Sequence, residues 1–331
     1  MESVCPNNGN NYIMMSFPQF CEEVRKGIEE RFEDCEATLR KVTKNNGTEY
    51  CGITIRRGEE AIMPTIYLEE FYEEFKQGSS LTGIINTVAE VYEANRNPWP
   101  DGLDFAFDAI KDKITFRLVN YEKNAPLLAG MPHICFDEWA ICFDCLISQA
   151  NGNIGAVRVD EAMCREWKVS LSELTRLAAE NSFRLIPSTV DPIEVVLATL
   201  LMRNFKTMGG EDEREKATEV VNEVLREKNR CGLPMYVLSN AMNHFGATAI
   251  LNIPFMDGVR EKLKEDFYIL PSSVHELILV PVSAAPAEDR LLEMVREVNQ
   301  KEVPESDFLA DGVYRYGVLR KKITRALSVP A

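Results

Sequence analysis

Histidine is scarce in this chain, and the short motifs of several common enzyme classes are missing. The 331 residues include three histidines, and no phosphate loop, GxGxxG, HExxH or GxSxG pattern occurs among them. These absences disfavour nucleotide hydrolysis by a phosphate loop, zinc proteolysis and α/β-hydrolase chemistry. Catalysis through other residue patterns stays open.

Basic charge is also in deficit. The chain has 37 Lys and Arg against 52 Asp and Glu, which gives a formal net charge of −15 and a pI of about 4.9. A field of this sign repels phosphate, so we expect neither a nucleic-acid partner nor binding to an anionic membrane. The one basic cluster comprises Arg320, Lys321, Lys322 and Arg325, which we interpret as a solvated C-terminal tail.

Long hydrophobic runs and a secretion signal are absent as well. Residues 1–15 have neither a basic start nor a long apolar core, and we interpret them as a disordered leader. The apolar run Val195–Met202 is too short to cross a bilayer. Nine cysteines, an odd number without tight spacing, indicate reduced thiols. These features together predict a cytoplasmic protein without disulfides.

The densest apolar stretch is Phe267–Val282, with the sequence FYILPSSVHELILVPV. We predict two strands there, joined by a tight Pro-Ser-Ser turn. The second strand is apolar on both faces, which is typical of a central strand covered on both sides. One face holds Leu277 and Leu279, and the other holds Val274, Ile278, Val280 and Val282.

The remaining elements follow from capping, turn and periodicity signals. Asn46-Gly47 predicts a hairpin between Ala37–Val42 and Tyr50–Arg56. Further strands are predicted at Ile114–Asn120, Ile154–Val159, Met235–Leu238, Ala247–Asn252 and Val313–Val318. Helices are predicted to start at Ser16, Pro64, Ser80, near Phe105, at Ser170, at Asp191-Pro192, at Met256 and at Ala287, and residues 132–148 are predicted to form an apolar helix.

This order of elements predicts an α+β fold, with mixed or antiparallel sheets packed by amphipathic helices. We expect two units, at residues 16–125 and 126–331. The acidic, Gly-led segment at residues 208–230 is interpreted as a peripheral excursion from the second unit.

Four stretches resemble one protein family. They are PTIYLEEFYEEF (Pro64–Phe75), FRLVNYEKN (Phe116–Asn124), MYVLSN (Met235–Asn240) and FYILPSSVHELILVP (Phe267–Pro281). Together they are similar to an uncharacterised domain-of-unknown-function family common in anaerobic gut bacteria, over a span from about Phe17 to Tyr316. The resemblance implies a bacterial cytoplasmic protein and brings no activity or catalytic residues with it.

Metal-ligand side chains occur at His133, Cys135, Cys142 and Cys145. In the predicted helix, Cys135 and Cys142 would lie about 10 Å apart along the axis, too far to share one ion. Cys142 and Cys145 lack the strand-then-helix context of a redox CxxC pair. We therefore predict no metal and no cofactor.

Ser272, Ser273, His275 and Glu276 form the one compact group of hydroxyl, imidazole and carboxylate. They are the candidate catalytic residues, because a hydroxyl nucleophile needs an adjacent base. The alternative is structural: adjacent strand residues point to opposite faces, so a turn hydroxyl would satisfy His275 while Glu276 pairs with an Arg or Lys of a covering helix. His244 is interpreted as a surface-loop residue.

We therefore favour a non-enzymatic binding or regulatory protein that recognises a protein or a small molecule. The alternative is a hydrolase or transferase that uses His275 with Ser272 or Ser273.

Overall fold

The computed structural model describes residues 15–58, 65–95, 105–150, 153–208, 233–317 and 322–327. They divide into two compact units. The smaller comprises described residues up to Lys44 and within Thr48–Gly102, and the larger comprises Asn45–Gly47 and the residues from Leu103 onward. The division expected from the sequence differs from this one, because it assigned Ile114–Asn120 to the first unit.

The smaller unit is a three-stranded antiparallel sheet packed by helices. Its elements are α1 (Phe17–Arg31), β1 (Cys35–Thr43), β2 (Glu49–Arg57), β3 (Thr65–Tyr67), α2 (Glu69–Lys76) and α3 (Leu81–Asn95), with strand order β1-β2-β3. The backbone N–H of Ser16 donates to Gln19 Oε1 at 3.1 Å, half of the predicted capping box. Val24, Ile28, Ile53 and Tyr92 are buried together in the core.

The larger unit contains two antiparallel sheets. The four-stranded sheet comprises β4 (Ile114–Asn120), β5 (Ile134–Phe136), β6 (Trp139–Ala150) and β7 (Asn153–Arg158); β6 is central and pairs with the other three. Around it are α4 (Phe107–Ile110), α5 (Ala125–Leu128), α6 (Glu161–Trp167) and α7 (Leu171–Leu185). The Oγ of Ser170 accepts from the N–H of Glu173 at 3.2 Å, so α7 starts at the predicted cap.

The six-stranded sheet has the order β13-β12-β10-β11-β9-β8. Its strands are β8 (Ser188–Pro192), β9 (Tyr236–Asn240), β10 (Phe267–Pro271), β11 (Leu277–Pro281), β12 (Val313–Gly317) and β13 (Lys322–Leu327). The later helices are α8 (Ile193–Met208), α9 (Ile253–Leu263) and α10 (Glu288–Lys301). The α+β class and the antiparallel sheets predicted from the sequence are confirmed.

The predicted central strand is confirmed with a later start. β11 lies between β10 and β9, with Leu277 and Leu279 in one apolar cluster and Ile278 and Val280 in the other. The predicted tight turn is wrong, because the connection covers residues 272–276. Val274 lies in this loop and packs with Leu277 rather than with Val280.

The helix predicted at residues 132–148 is wrong, because the segment forms β5 and most of β6. β6 is hydrogen-bonded on both sides and apolar on both faces, so it lacks the alternation that marks a half-exposed strand. The helix spacing used for the cysteines therefore does not apply. Cys142 and Cys145 lie three positions apart on one strand and project to opposite faces.

Four smaller predictions also need correction. The predicted strand Ala247–Asn252 is a 3₁₀ helix, Gly246–Leu251, and residues 65–67, predicted as helix, form β3. The predicted solvated tail contains β13, which pairs with β12 and places Arg325 against Asp137 at 2.9 Å. On α10, the apolar spacing of the helix predicts that Val298 faces inward, but Val298 is exposed, and Asn299 is buried in its place.

Some expectations fall outside the described residues. They concern three segments: the leader apart from Met15, the loop at 96–104, and most of the excursion at 208–230. Within the described ranges, no helix combines the length and the apolar composition needed to cross a bilayer.

Candidate functional site

The four candidate residues lie in the loop that joins β10 to β11. Ser273 Oγ accepts a hydrogen bond from the backbone N–H of His275 at 3.0 Å. The N–H of Ser273 donates to the carbonyl of Glu276 at 3.1 Å. These two bonds fix the conformation of the loop between Ser273 and Glu276. Across the described residues, no hydrogen bond joins the hydroxyl of Ser272 or Ser273 to the imidazole of His275.

The imidazole of His275 is engaged at both nitrogens. Its Nδ1 accepts a hydrogen bond from the N–H of Phe245 at 3.2 Å, and its Nε2 lies 3.7 Å from Asp307 Oδ1. An accepting Nδ1 assigns the ring proton to Nε2, on the side of Asp307. The nearby imidazole of His275 holds the pKa of the Asp307 carboxyl below its usual value, with a further contribution from the Ser306 hydroxyl. These contacts position the ring and occupy the nitrogen that a base would use.

Glu276 lacks the partner that the structural interpretation predicted. Its carboxylate makes no hydrogen bond and no ion pair with a described residue. Burial raises the pKa of this carboxyl, against a smaller opposing effect of His275. The expected pairing with an Arg or Lys of a covering helix is therefore corrected.

A second histidine, His244, lies on another loop and close to His275. The ring of His244 lies 5.5 Å, between centroids, from that of His275. Asn240 organises this loop: its Oδ1 accepts from the N–H of Met242 at 3.0 Å, and its Nδ2 donates to the carbonyl of His244 at 2.9 Å. His244 is exposed, in keeping with its polar turn, yet it also lines a pocket.

The backbone of this loop is strained at two positions. Asn243 and Phe245 have φ values of 49° and 48°, in the left-handed region that non-glycine residues rarely adopt. Gly246 follows, and a Cβ there would lie 2.1 Å from Ser239 Oγ and 2.4 Å from the carbonyl oxygen of His275. The hydroxyl of Ser239 donates to that carbonyl at 2.8 Å. The two loops therefore lie in close contact. Non-glycine residues with positive φ, such as Asn243 and Phe245, are often found at binding sites.

The strained loop covers a small pocket in the larger unit. The cavity measures about 40 Å³, enough for about three water-sized groups. Arg117 of β4 and Asp144 of β6 line it, and the Arg117 guanidinium lies 3.7 Å from the ring centroid of Phe245. Arg117 thus stacks on the Phe245 ring of the loop and also forms an ion pair with Asp144 of the sheet.

Two polar atoms at this pocket have no hydrogen-bond partner among the described residues. Arg117 Nε donates to Asp144 Oδ2 at 2.5 Å, and Arg117 Nη2 contacts the same oxygen. The other oxygen, Asp144 Oδ1, is buried without a hydrogen bond, as is Oγ1 of Thr248. Asp144 is 6% exposed and Thr248 is 7% exposed. Both side chains line the pocket, and buried polar atoms ordinarily have partners.

A second arginine adds positive charge beside this pair. Arg158 stands directly across from Asp144 in the β6–β7 ladder. Burial lowers the pKa of Arg158, and the charge of Arg117 lowers it further. The Arg158 guanidinium makes no hydrogen bond to a described residue. Two arginines against one carboxylate leave a local excess of positive charge.

Sequence reasoning missed Arg117, Asp144 and Thr248, although a signal for the first two was present. Each is a single charge inside an otherwise apolar strand, in ITFRLVN and CFDCLIS. A charge at such a place is rarely buried without a specific partner. Thr248 carried no comparable signal, because its segment was predicted as an ordinary strand.

No group of three or more His, Cys, Asp or Glu side chains in the described ranges is arranged to hold a metal ion. Of the earlier metal-ligand candidates, Cys135 is exposed on β5, whereas Cys142 and Cys145 are buried on β6. Burial, aided by the charge of Asp144, raises the pKa of Cys142 to about 12.

Comparison with known proteins identifies a family without an assigned function. The family model DUF5688, a family of unknown function, matches residues 17–317. No curated protein and no solved structure matches the chain.

Proposed function

Because the chain belongs to DUF5688, a family of unknown function, we propose its function from the pocket of the larger unit. The protein is a non-enzymatic binding protein for a small polar molecule. The pocket between β4, β6 and the Asn240–Gly246 loop holds that molecule.

One observation carries this proposal: Asp144 is 6% exposed, and no described residue donates a hydrogen bond to its Oδ1. Leaving such an oxygen unpaired costs about 1–3 kcal/mol, and more when the group is charged. A ligand that donates a hydrogen bond to Asp144 removes this cost. Asp144 lines the cavity, so a ligand there lies next to this carboxylate.

The ligand chemistry follows from the other groups. Arg117 and the neighbouring Arg158 favour a group that accepts hydrogen bonds or carries negative charge. Asp144 requires a donor. A cavity of about 40 Å³ limits the ligand to a few heavy atoms. A small anion that also carries an O–H meets all three conditions.

Bicarbonate and nitrate test this chemistry as a matched pair. Both are planar monoanions of similar size, but only bicarbonate has an O–H to donate. We expect bicarbonate to raise the melting temperature and to shift the backbone NMR signals of Asn240 and Thr248, with nitrate doing neither. At a tenfold excess over Kd, binding stabilises the fold by about 1.4 kcal/mol.

Two variants locate the effect. Thr248→Val removes a hydroxyl without a partner, so we expect unchanged or higher stability together with weaker bicarbonate binding. Asp144→Asn should abolish the preference for bicarbonate over nitrate, whereas Asp112→Asn, at an exposed position, should preserve it. Equal responses to the two anions, or wild-type binding by Thr248→Val, would contradict the proposal.

The alternative, a hydrolase or transferase that uses His275 with Ser272 or Ser273, gains no support from the contacts. His275 Nδ1 accepts from a backbone N–H, and Ser273 Oγ accepts from another. A base needs a free acceptor within reach of its nucleophile.

We further propose that the protein works in the reducing cytoplasm of a bacterium, and the resemblance to a family of anaerobic gut bacteria supports this setting. The nine cysteines, an odd number without tight spacing, agree with it. The net charge of −15 supports the expectation that neither nucleic acid nor an anionic membrane is a partner.

A further inference from the structure

We propose that the smaller unit has its own binding site, which takes an apolar molecule carrying one ammonium group. The site is a cleft between α1, the β1–β2 ladder and the start of α2, with a volume of about 440 Å³. This volume lies within the range of pockets for small organic ligands.

The walls of the cleft are mainly apolar. Phe17, Leu39 and Tyr50 supply aromatic and aliphatic surface. Cys21 and Cys51 also line the cleft. Burial raises the pKa of both thiols, so they stay neutral and behave as apolar surface at neutral pH. A ligand in this cleft therefore has an apolar body.

Glu69, at the start of α2, supplies a carboxylate to the cleft. Its Oε1 accepts the N–H of Cys51 at 2.6 Å, which fixes the carboxylate against the end of the sheet. Its Oε2 is buried, and no described residue donates a hydrogen bond to it. An ammonium group is the best donor for such an oxygen, because the bond is charge-assisted.

The other charges of the cleft do not reverse this preference. Lys41 is already paired with Glu49 at 2.6 Å, and their side chains are 69% and 52% exposed. Arg40 is exposed as well. Exposed charges are screened by water and salt, whereas the buried Oε2 of Glu69 is screened less. The charge that an entering ligand meets is therefore negative.

Three probes of nearly equal shape test the charge of the ligand in the unmodified protein. They are 2-phenylethylamine, which is a cation at neutral pH, neutral 2-phenylethanol, and anionic phenylacetate. We expect the amine to bind about ten- to a hundredfold more tightly than the alcohol, as titration calorimetry would measure. Phenylacetate should bind most weakly.

Variants test whether Glu69 causes the preference for the amine over the alcohol. Glu69→Gln keeps the acceptor for the N–H of Cys51 but removes the charge, so the amine should lose its advantage over the alcohol. Glu70→Gln, at the exposed next position of α2, should keep it. Asp144→Asn, in the larger unit, should leave amine binding unchanged, which separates this site from the proposed function. Equal binding of amine and alcohol, tighter binding of phenylacetate, or no binding of the three would overturn the inference.

Discussion

At the scale of single residues, the carboxylate of Glu276, which is unpaired among the described residues, makes the stability of the fold depend on pH. Burial raises its pKa, because the charged form loses water and gains no partner. Below the ordinary glutamate value of about 4.3, the side chain is protonated in both states. As the pH rises through that value, the unfolded chain ionises first, and the fold loses stability.

Replacing Glu276 with Gln should therefore stabilise the protein at pH 7. Glutamine has nearly the same shape and cannot ionise, so the penalty disappears. The gain should shrink as the pH approaches 4, where the native carboxyl is protonated and the unfolded one is ionised less. Urea midpoints of the variant and the parent at the two pH values measure this difference.

Glu261→Gln is the matched control, because Glu261 is exposed on α9. It should leave both midpoints unchanged. A loss of stability in Glu276→Gln at pH 7, or the same gain at both pH values, would show that burial of the charge is not the cause.

At the scale of elements, the contact between two loops orders the candidate site. Gly246 lets the chain pass within van der Waals distance of Ser239 and of the carbonyl of His275. The N–H of Ala247 donates to the carbonyl of Val274 at 3.2 Å and adds a backbone bond across the contact. These contacts join the two loops beside the Phe245 ring, which lies over Arg117.

Gly246→Ala should lower stability by about 1–3 kcal/mol or more, because the new methyl group meets backbone atoms that have no room to move. The same substitution at Gly258 is its control. Gly258 lies inside α9 with nothing within 4 Å of an added Cβ. There alanine should stabilise the helix by about 0.5–1 kcal/mol. If urea unfolding shows equal changes in the free energy of unfolding at the two sites, the close contact at Gly246 is not the cause.

At the scale of the whole molecule, the reactivity of the cysteine thiols shows whether the chain is folded and whether it contains a disulfide. The cysteines in the described ranges are free thiols, most of them buried or partly buried. Burial raises the pKa of Cys145 to about 11, so its thiolate is rare at neutral pH. Cys135, in contrast, is exposed.

Thiol titration with a chromogenic disulfide should therefore find all nine cysteines in denaturant. In the native protein, Cys135→Ser should remove one equivalent from the fast phase. A missing pair in denaturant would reveal a disulfide. An unchanged fast phase in Cys135→Ser would show that Cys135 is not reactive in the native protein.

Local signals in the sequence determined much of the fold. The capping pattern at Ser16, the hairpin at Asn46-Gly47 and the cap at Ser170 each specify an element through neighbours a few residues away. The doubly apolar strand at Leu277–Pro281 was predicted to be central, and it is. These features depend on short-range geometry, which a sequence carries directly.

Tertiary structure decided the rest, because the deciding partners lie far away in the chain. Trp139–Ala150 is apolar on both faces, so its periodicity fits a buried helix as well as a central strand, and only pairing with β4, β5 and β7 selects the strand. β13 forms because β12 offers an open edge. The pocket brings Arg117, Asp144 and Phe245 together from three elements, and no local pattern encodes a contact between strands and a loop more than a hundred residues away.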